Sequence, residues 1–359
     1  MRTFEETFAT SPAAIGEAPG RVNLLGEHTD YNDGYVLPTA IPQKMRVMLR
    51  PNDLDIFRLY ASTLDESAEF TLGELPEQHF ARYIYGCLQE VQAMAVWVPP
   101  LDIYVESNVP MEVGVSSSAA LEVATLRALR TLLELPLDDV RIAQIAQRAE
   151  IKYAGVNCGI MDQMASSLAD PGYMLFLDTR TLEREVLPLP TDSEILVIDS
   201  GVTRTLAGSK YNERRAECEN AASMLGVQAL RDITDPVIAE SLPEILCRRA
   251  RHVITENNRV LRAREGVSAE EFGQLMSASH LSLRNDYEVS ISELDTLVGH
   301  LESQPGVYGA RLTGAGFGGA CVALCEKGAG HYLADKVLHL YNVKGRHGRL
   351  LVPEVNTAD

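Results

Sequence analysis

Positive charge, long apolar runs and closely spaced cysteine pairs are all scarce in this sequence of 359 residues. Lysine and arginine number 32 against 50 aspartate and glutamate residues, which gives a formal net charge of −18 at pH 7. Because such a field repels phosphate backbones, nucleic acid is not an expected partner. No apolar run is long enough to span a bilayer, and the acidic N-terminal stretch lacks the apolar core of a secretory signal, so no membrane contact is expected.

Six cysteines are dispersed along the chain without any C-x-x-C pair. This pattern is typical of reduced, mostly buried thiols in a cytoplasmic protein, and a zinc site is the alternative. The chain is longer than a single hydrophobic core usually supports, which indicates two packed domains. We place their boundary near residues 185–195 and therefore predict domains at 1–190 and 191–359.

Patterns typical of strands and of helices mix along the chain without strict alternation. Strands are predicted at 101–107, 172–178 and 194–200, and helices at 119–135, 138–153, 211–225, 236–264 and 331–341. Residues 18–40 are predicted to be extended and broken by a polar turn from Thr29 to Gly34. This arrangement favours an α+β fold over a doubly wound sheet.

The segment APGRVNLLGEHTDYNDG, from Ala18 to Gly34, crowds polar side chains into a short stretch bounded by glycines. Its carboxylates Glu27 and Asp30 can accept paired hydrogen bonds from sugar hydroxyls, and Arg21 can stabilise an oxyanion that develops on an attacking oxygen. The alternative is a polar surface loop, since Asn-Asp-Gly is a common turn. The neighbouring apolar residues favour a position at a strand end, where sites are often built.

A second segment, VPMEVGVSSSAALE, runs from small residues directly into a predicted helix start. Backbone N–H groups at such a start point outward and the helix dipole adds positive potential, which together make an anion site without lysine. The serine hydroxyls can bond phosphate oxygens or ligate Mg²⁺. The alternative is that Ser116 to Ser118 only cap the helix.

Two further stretches carry candidate chemistry. RLTGAGFGGACVAL, from Arg311 to Leu324, contains G-x-G-x-x-G, but a strand-like run follows it. That order argues against a dinucleotide fold and favours a glycine turn between two strands, close to a ligand. GVNCGIMDQMAS places Asp162 among apolar residues, as either a desolvated site carboxylate or an ordinary loop acid.

Together these segments, with the downstream SKYNERR, resemble in order and content the galactokinases of the GHMP kinase superfamily. GRVNLLGEHTDYNDG is similar to the galactokinase signature, which other members of the superfamily lack. The resemblance covers nearly the whole chain. It implies an N-terminal domain like ribosomal protein S5, a C-terminal ferredoxin-like domain and an active site in the cleft between them.

The resemblance also implies roles for individual residues. Asp162 matches the catalytic base, and Arg21 matches the residue that stabilises the transition state. The sugar-binding positions match Glu27, His28, Thr29, Asp30, Gly159 and Tyr211. The ATP-binding positions match Glu112, Val113, Gly114, Val115, Ser116, Ser117 and Ser118, with Phe80 near the adenine. The Mg²⁺ positions match Ser118 and Glu150.

The implied reaction is phosphorylation of D-galactose by ATP at the anomeric O1, with Mg²⁺ as cofactor. Several positions depart from the family pattern. In the phosphate loop Glu112 replaces a glycine, and Val113 and Val115 replace smaller residues or leucine. Ala315 replaces a glycine of the third motif, and the C-terminal PEVNTAD lacks the small-residue ending typical of the family. The Glu112 carboxylate would repel ATP unless its side chain points to solvent.

Two alternatives remain open. The first is a related kinase for galactosamine, N-acetylgalactosamine, arabinose or a uronic acid. The second is a non-catalytic sensor of sugar and ATP; such sensors lack residues just after the triple serine, whereas Ala119 and Ala120 follow here without a gap. A cytoplasmic protein, monomeric or weakly dimeric, is expected.

Overall fold

The structure, a computed structural model, describes residues 2–203, 207–343 and 345–354. Its α-helices are α1 (Phe4–Phe8), α2 (His79–Gln92), α3 (Ser117–Leu132), α4 (Asp139–Ala149), α5 (Met161–Leu168), α6 (Ala207–Met224), α7 (Glu244–Arg264), α8 (Ala269–Asn285), α9 (Ser292–Glu302) and α10 (Gly330–Asn342). Its strands are β1 (Ala14–Asn23), β2 (Tyr35–Val36), β3 (Pro38–Pro51), β4 (Phe57–Ala61), β5 (Glu66–Phe70), β6 (Leu101–Ser107), β7 (Tyr173–Asp178), β8 (Arg184–Pro188), β9 (Ser193–Asp199), β10 (Val307–Leu312), β11 (Ala320–Glu326) and β12 (Arg349–Val352). Among the described residues, no helix combines the length and apolarity needed to cross a membrane.

Packing divides the chain into two units that differ from a simple N-terminal and C-terminal half. The first unit contains the residues up to Arg21, Ile41–Pro110 and Ser116–Leu168. The second contains Val22–Ala40, Met111–Val115 and the chain from Ala169 onward. The chain thus passes between the units several times, and the division of the sequence at residue 190 stays a prediction.

The first unit is built on a five-stranded sheet with the strand order β1-β3-β6-β4-β5. Strand β3 runs antiparallel to β6, and β4 runs parallel to β6. Because side chains alternate across a strand, Val47 and Leu49 join the main core with α2, α3 and α4. Met48, between them, packs on the other side with Phe4 of α1 and Tyr104 of β6.

The second unit contains two sheets among the described residues. A four-stranded antiparallel sheet has the order β10-β11-β9-β12, and its apolar residues form a core with α6 to α10. A three-stranded antiparallel sheet has the order β2-β7-β8. The second sheet pairs Tyr35 with Asp178, which ties the end of the polar turn to β7.

Most elements predicted from apolar periodicity are confirmed, including β6, β7, β9, α3, α6 and α10. The helix predicted at 138–153 is α-helical only to Ala149 and then continues as a π-helical turn, Glu150–Ala154. The helix predicted at 236–264 begins as a 3-10 helix, Pro236–Ser241, before α7. Glu150 opens this π-helical turn, which is capped by Gly155 with a left-handed backbone.

Candidate active site

Asp162 lies in the first turn of α5 in the first unit, and both oxygens of its carboxylate are hydrogen-bonded. Arg21, near the end of β1, donates to Asp162 Oδ1 from Nε at 2.9 Å and contacts the same oxygen through Nη2 at 2.7 Å. The Ser116 hydroxyl donates to Oδ2 at 2.5 Å. The Arg21 side chain is buried while that of Asp162 is 30% exposed, so the carboxylate is held from within and still reaches solvent.

Ser116 precedes α3 with a left-handed backbone, φ 59° and ψ 49°. It occupies the N-cap position, but its hydroxyl bonds Asp162 and makes no capping bond to a helix N–H. The interpretation of this serine as a simple cap is therefore wrong. Ser117 and Ser118 follow half-buried in the first turn of α3, where backbone N–H groups lack intrahelical partners and the helix dipole is positive.

The predicted phosphate loop before Ser116 belongs to the second unit. Val113 and Val115 are buried, and the buried Gly114 has φ 85°. Glu112 is exposed, with a left-handed φ of 63° that glycine adopts more readily than any other residue. The backbone at this position therefore has the conformation expected where the family usually has glycine.

Glu150 lies in a buried polar cluster of the first unit with Ser118, Gln163 and Glu122. Gln163 Nε2 donates to Glu150 Oε2 at 2.5 Å and lies 3.4 Å from Glu122 Oε2, and Ser118 hydrogen-bonds the Glu150 carboxyl. Burial, reinforced by the nearby Asp162, raises the pKa of Glu150 to about 7. Burial also raises the pKa of Glu122 well above its usual value. The structure thus brings the two residues predicted to bind Mg²⁺, Ser118 and Glu150, into contact, and their role as metal ligands stays a prediction.

The other predicted residues of the first unit are Phe80 and Gly159. Phe80 lies near the start of α2 and packs, partly buried, against the main core of the unit. Gly159 is buried two residues before α5. Their roles beside adenine and sugar stay predictions.

Glu27 and His28 are buried in the second unit. Glu27 Oε2 accepts a hydrogen bond of 2.7 Å from Arg311 Nη2, and both side chains are inaccessible to solvent. His28 Nδ1 lies 2.9 Å from the Tyr31 hydroxyl, and its ring centroid lies 5.7 Å from that of Tyr211. The predicted sugar-binding residues Glu27, His28 and Tyr211 thus share one region of this unit.

Thr29 and Asp30 lie in the polar turn predicted from the sequence, and the turn is confirmed. The Thr29 hydroxyl lies 2.8 and 2.7 Å from the carbonyl oxygens of Gly26 and Tyr35 and shares its one proton between them, which closes the turn. Asp30 opens the 3-10 helix Asp30–Asn32, and its carbonyl accepts from the Thr179 hydroxyl at 3.1 Å. A sugar contact by either residue stays a prediction.

The third glycine motif is a turn between antiparallel strands, as predicted, because β11 follows it where a dinucleotide fold would need a helix. Gly314 and Gly316 have left-handed φ values of 79° and 76°, whereas Ala315 lies outside the left-handed region. The alanine that departs from the family pattern therefore sits where no glycine is required.

Several buried polar residues of these sites carried no assigned role in the sequence interpretation: Glu122, His252, Glu256, Asn257 and Arg311. Arg311 had a signal, since it opens the third glycine motif. Three others lie on α7, and in the sequence of a helix buried polar residues cannot be told from polar residues on a solvent-exposed face.

The buried position of His252 predicts that the folded protein loses stability in mild acid. Burial lowers the pKa of His252 to about 4, compared with 6.5 in the unfolded chain. Between pH 6.5 and 4 this histidine therefore binds a proton in the unfolded chain and stays neutral in the folded protein. The free energy of unfolding should fall by about 3 kcal/mol per such histidine between pH 6.5 and 4.

Urea unfolding at pH 7.5, 5.5 and 4.5 measures this slope. His252→Gln removes one titrating group and should make the pH dependence of the unfolding free energy shallower than in the wild type. Parallel curves for the two proteins would contradict the assignment to His252.

Three family models match the chain in the order expected from its motifs. The galactokinase galactose-binding signature matches residues 2–51, the GHMP kinases N terminal domain matches 82–170, and the GHMP kinases C terminal model matches 263–341. A galactokinase of Chloroflexus aggregans is 42% identical over 99% of this chain and 94% of its own length. A galactokinase of Thermotoga neapolitana is 39% identical over 96% of this chain and 98% of its own length.

Solved structures agree with these relatives. The structure of Lactococcus lactis galactokinase, determined with galactose, has a TM-score of 0.91 at 33% identity and covers 97% of this chain and 95% of its own. Methanococcus jannaschii mevalonate kinase has a TM-score of 0.68 at 19% identity, covers 94% of this chain and 96% of its own, and so supports the fold alone. The α+β class and the motif resemblance are both confirmed, and the chain belongs to the galactokinases, a family of ATP-dependent sugar kinases with the GHMP kinase fold.

Proposed function

We propose that this chain transfers the γ-phosphate of ATP to the anomeric O1 hydroxyl of D-galactose, giving galactose 1-phosphate and ADP. The observation that carries this proposal is the segment GRVNLLGEHTDYNDG, which lies within the match to the galactose-binding signature and builds the turn of Glu27 and His28. The similar structure from Lactococcus lactis was determined with galactose, which supports the same sugar here.

Asp162 and Arg21 are the residues we assign to the chemistry. As the bond from O1 to the γ-phosphorus forms and the bond to the leaving oxygen of ADP breaks, the O1 proton passes to the Asp162 carboxylate. The Arg21 guanidinium, 2.7 Å from Asp162 Oδ1, keeps that carboxylate in place and offers positive charge to the oxygen losing its proton. Phosphoryl transfer needs mainly such positioning and charge neutralisation.

The start of α3 and the loop before it are assigned to the phosphates of ATP. The outward N–H groups and the positive end of the helix dipole attract anions. The Ser117 and Ser118 hydroxyls are half-buried at this start and can donate hydrogen bonds to phosphate oxygens. This assignment needs no lysine, which suits a chain with the observed shortage of positive charge.

Ser118 and Glu150 are the residues we assign to Mg²⁺. The cluster fits a hard cation, since it offers the Ser118 hydroxyl and the buried carboxyl oxygens of Glu150 and Glu122. The described residues contain no group of three or more acids, histidines or cysteines suited to a metal, which fits an ion held partly by ATP phosphates. When bound, Mg²⁺ would neutralise charge on the transferring phosphate.

The sugar assignment is tested by ADP release from ATP and Mg²⁺ with D-galactose beside galactosamine, N-acetylgalactosamine, arabinose and galacturonic acid. We expect galactose to give the largest kcat/KM. Faster turnover of another sugar would identify that sugar as the substrate and leave the proposed kinase mechanism unchanged. Binding of galactose and ATP without any ADP release would instead identify a sensor.

Glu112 should weaken ATP binding only modestly, because its side chain is exposed and screened by salt. We expect Glu112→Gln and Glu112→Gly each to lower the KM for ATP by about two- to fivefold at low salt. The Gln variant removes the charge and keeps a side chain in the left-handed backbone, so equal effects identify charge as the cause. A decrease only in the Gly variant, or one insensitive to salt, would contradict this.

A cytoplasmic location and a monomeric or weakly dimeric state complete the proposal. They are supported by the absence of any C-x-x-C pair and by the strongly acidic composition. Size-exclusion chromatography with light scattering, at several protein concentrations, tests the oligomeric state.

A further inference from the structure

One face of α7 holds the backbone of the segment that carries Glu27 and His28. His252 Nε2 lies 3.1 Å from the Glu27 carbonyl, and Asn257 Oδ1 accepts from the Tyr35 N–H at 2.9 Å. Between them, Glu256 Oε1 accepts from the N–H groups of Gly26 and Glu27, at 2.8 and 3.2 Å. Positions 252 and 256 share one face of the helix, since residues four apart are neighbours on its surface, and Asn257 extends the contact to the side of that face.

Glu256 is fully buried, and all its described hydrogen-bond partners are donors to its carboxylate oxygens. Besides the two backbone N–H groups, Oε1 accepts from the Ser279 hydroxyl at 2.7 Å, and Oε2 accepts from Arg259 Nε at 2.7 Å. The pKa of Glu256 is lowered from its ordinary value because Arg259 and Arg311 outweigh the effect of burial. A buried carboxylate with this many donors is fixed in one position, and so is the backbone that it bonds.

Arg311 approaches the same segment from β10. Its Nη2 donates to Glu27 Oε2 at 2.7 Å, its Nη1 lies 3.9 Å from Glu256 Oε1, and the Nη1 group also reaches the Asn23 carbonyl at 3.4 Å. The guanidinium is completely buried and stands between two buried carboxylates. Its short hydrogen bond to Glu27 therefore holds that carboxyl group in one direction.

We infer that Glu256 and Arg311 are positioning residues for the sugar: Glu256 fixes the backbone of Gly26 and Glu27, and Arg311 orients the Glu27 side chain toward a sugar hydroxyl. This inference depends on the proposed function, since it assigns Glu27 to galactose. Neither residue touches the reacting atoms in this account, so their loss should weaken galactose binding and leave ATP binding unchanged.

Glu256→Gln tests the first half. An amide has one acceptor end and one donor end. Either its oxygen accepts from the two backbone N–H groups while its NH2 group faces Arg259, or its oxygen accepts from Arg259 while its NH2 group faces the backbone N–H groups. One of the two contacts is lost in either orientation. Arg311→Lys tests the second half, because a lysine keeps the charge and lacks the planar fork that contacts both Glu27 and Glu256.

The control is Asp102→Asn in the first unit, where a buried carboxylate accepts two bonds of 2.7 Å from Arg58. Each protein is assayed for the KM of galactose and of ATP, and for the increase in melting temperature caused by galactose alone. We expect Glu256→Gln and Arg311→Lys to raise the galactose KM at least tenfold, to abolish most of the galactose-induced shift, and to change the ATP KM less than twofold. The control should lower the melting temperature without changing the galactose KM.

A folded Glu256→Gln variant with wild-type galactose KM would overturn the inference and leave only a structural role. If both variants fail to fold, Ser279→Ala, which removes one hydrogen bond to Glu256, should still raise the galactose KM about threefold, and an unchanged value would overturn it. Failure of the proposed function is separate, since the wild-type protein would then neither phosphorylate galactose nor be stabilised by it.

Discussion

Replacing Asp162 with asparagine is expected to lower kcat for galactose by about 10²- to 10⁴-fold, the usual contribution of a positioned general base. Asparagine has the same shape, so its oxygen can still accept from Arg21, but its amide cannot take up the O1 proton. Because Arg21 and Ser116 hold this position from both sides, the variant should keep its fold. Galactose-dependent ADP release measures the loss, and the galactose-induced change in melting temperature checks that sugar binding survives.

The matched control is Asp139→Asn, which alters a carboxylate of the same unit that pairs with Arg130 at 2.9 Å and is 40% exposed. Its kcat should stay within about twofold of the wild-type value, since an exposed ion pair contributes little. If Asp162→Asn retained a tenth or more of the wild-type kcat, the assignment of the base would fail. Phosphoryl transfer would then depend on positioning alone.

Gly273→Ala is expected to destabilise the second unit strongly, because the backbone of α8 touches that of β10 at this glycine. A Cβ atom on Gly273 would lie 2.1 Å from the Tyr308 carbonyl oxygen, and backbone atoms cannot rotate out of the way. Overpacking of this kind costs roughly 1–3 kcal/mol or more, which exceeds the gain of about 1 kcal/mol from replacing a helical glycine. Urea unfolding monitored by far-ultraviolet circular dichroism measures the difference.

Gly299→Ala on α9 provides the matched control with the opposite sign. No atom lies within 4 Å of the position that its Cβ would take. Alanine should therefore stabilise the protein by about 0.5–1 kcal/mol through helix propensity alone. Equal effects of the two alanine variants would show that the close approach of α8 and β10 is not rigid.

Local patterns in the sequence predicted most of the elements that carry the sites. The alternation of LDIYVES predicts β6, and the apolar stripe after the triple serine predicts α3, because in each case one face must be buried. The sequence around Asp162 is compatible with either a site acid or a loop acid, and the structure places Asp162 in the first turn of α5. Elements such as β4, β5, α8 and α9 were not predicted, since their polar faces interrupt the apolar pattern.

The site was predictable only where its residues lie close together in the sequence or match a known motif. Arg21 and Asp162 are separated by 141 positions, and only the family motifs, not spacing, suggested that they meet. No motif indicated Glu256, which accepts a hydrogen bond from the Gly26 N–H although the two residues are 230 positions apart. The partner of a buried charge is decided by how distant elements pack, and a single sequence does not record this.

The hydrogen bonds between α7 and residues 26–35 have a consequence for how the sugar specificity of such a kinase could change. Side chains of α7 form hydrogen bonds with the N–H groups of Gly26, Glu27 and Tyr35 and with the Glu27 carbonyl, all of which are main-chain groups. Main-chain atoms are common to every amino acid except for the N–H group that proline lacks. Side chains on this segment can therefore be replaced while these backbone contacts are kept, except at Gly26, where an added Cβ would lie 2.4 Å from the Tyr35 carbonyl oxygen.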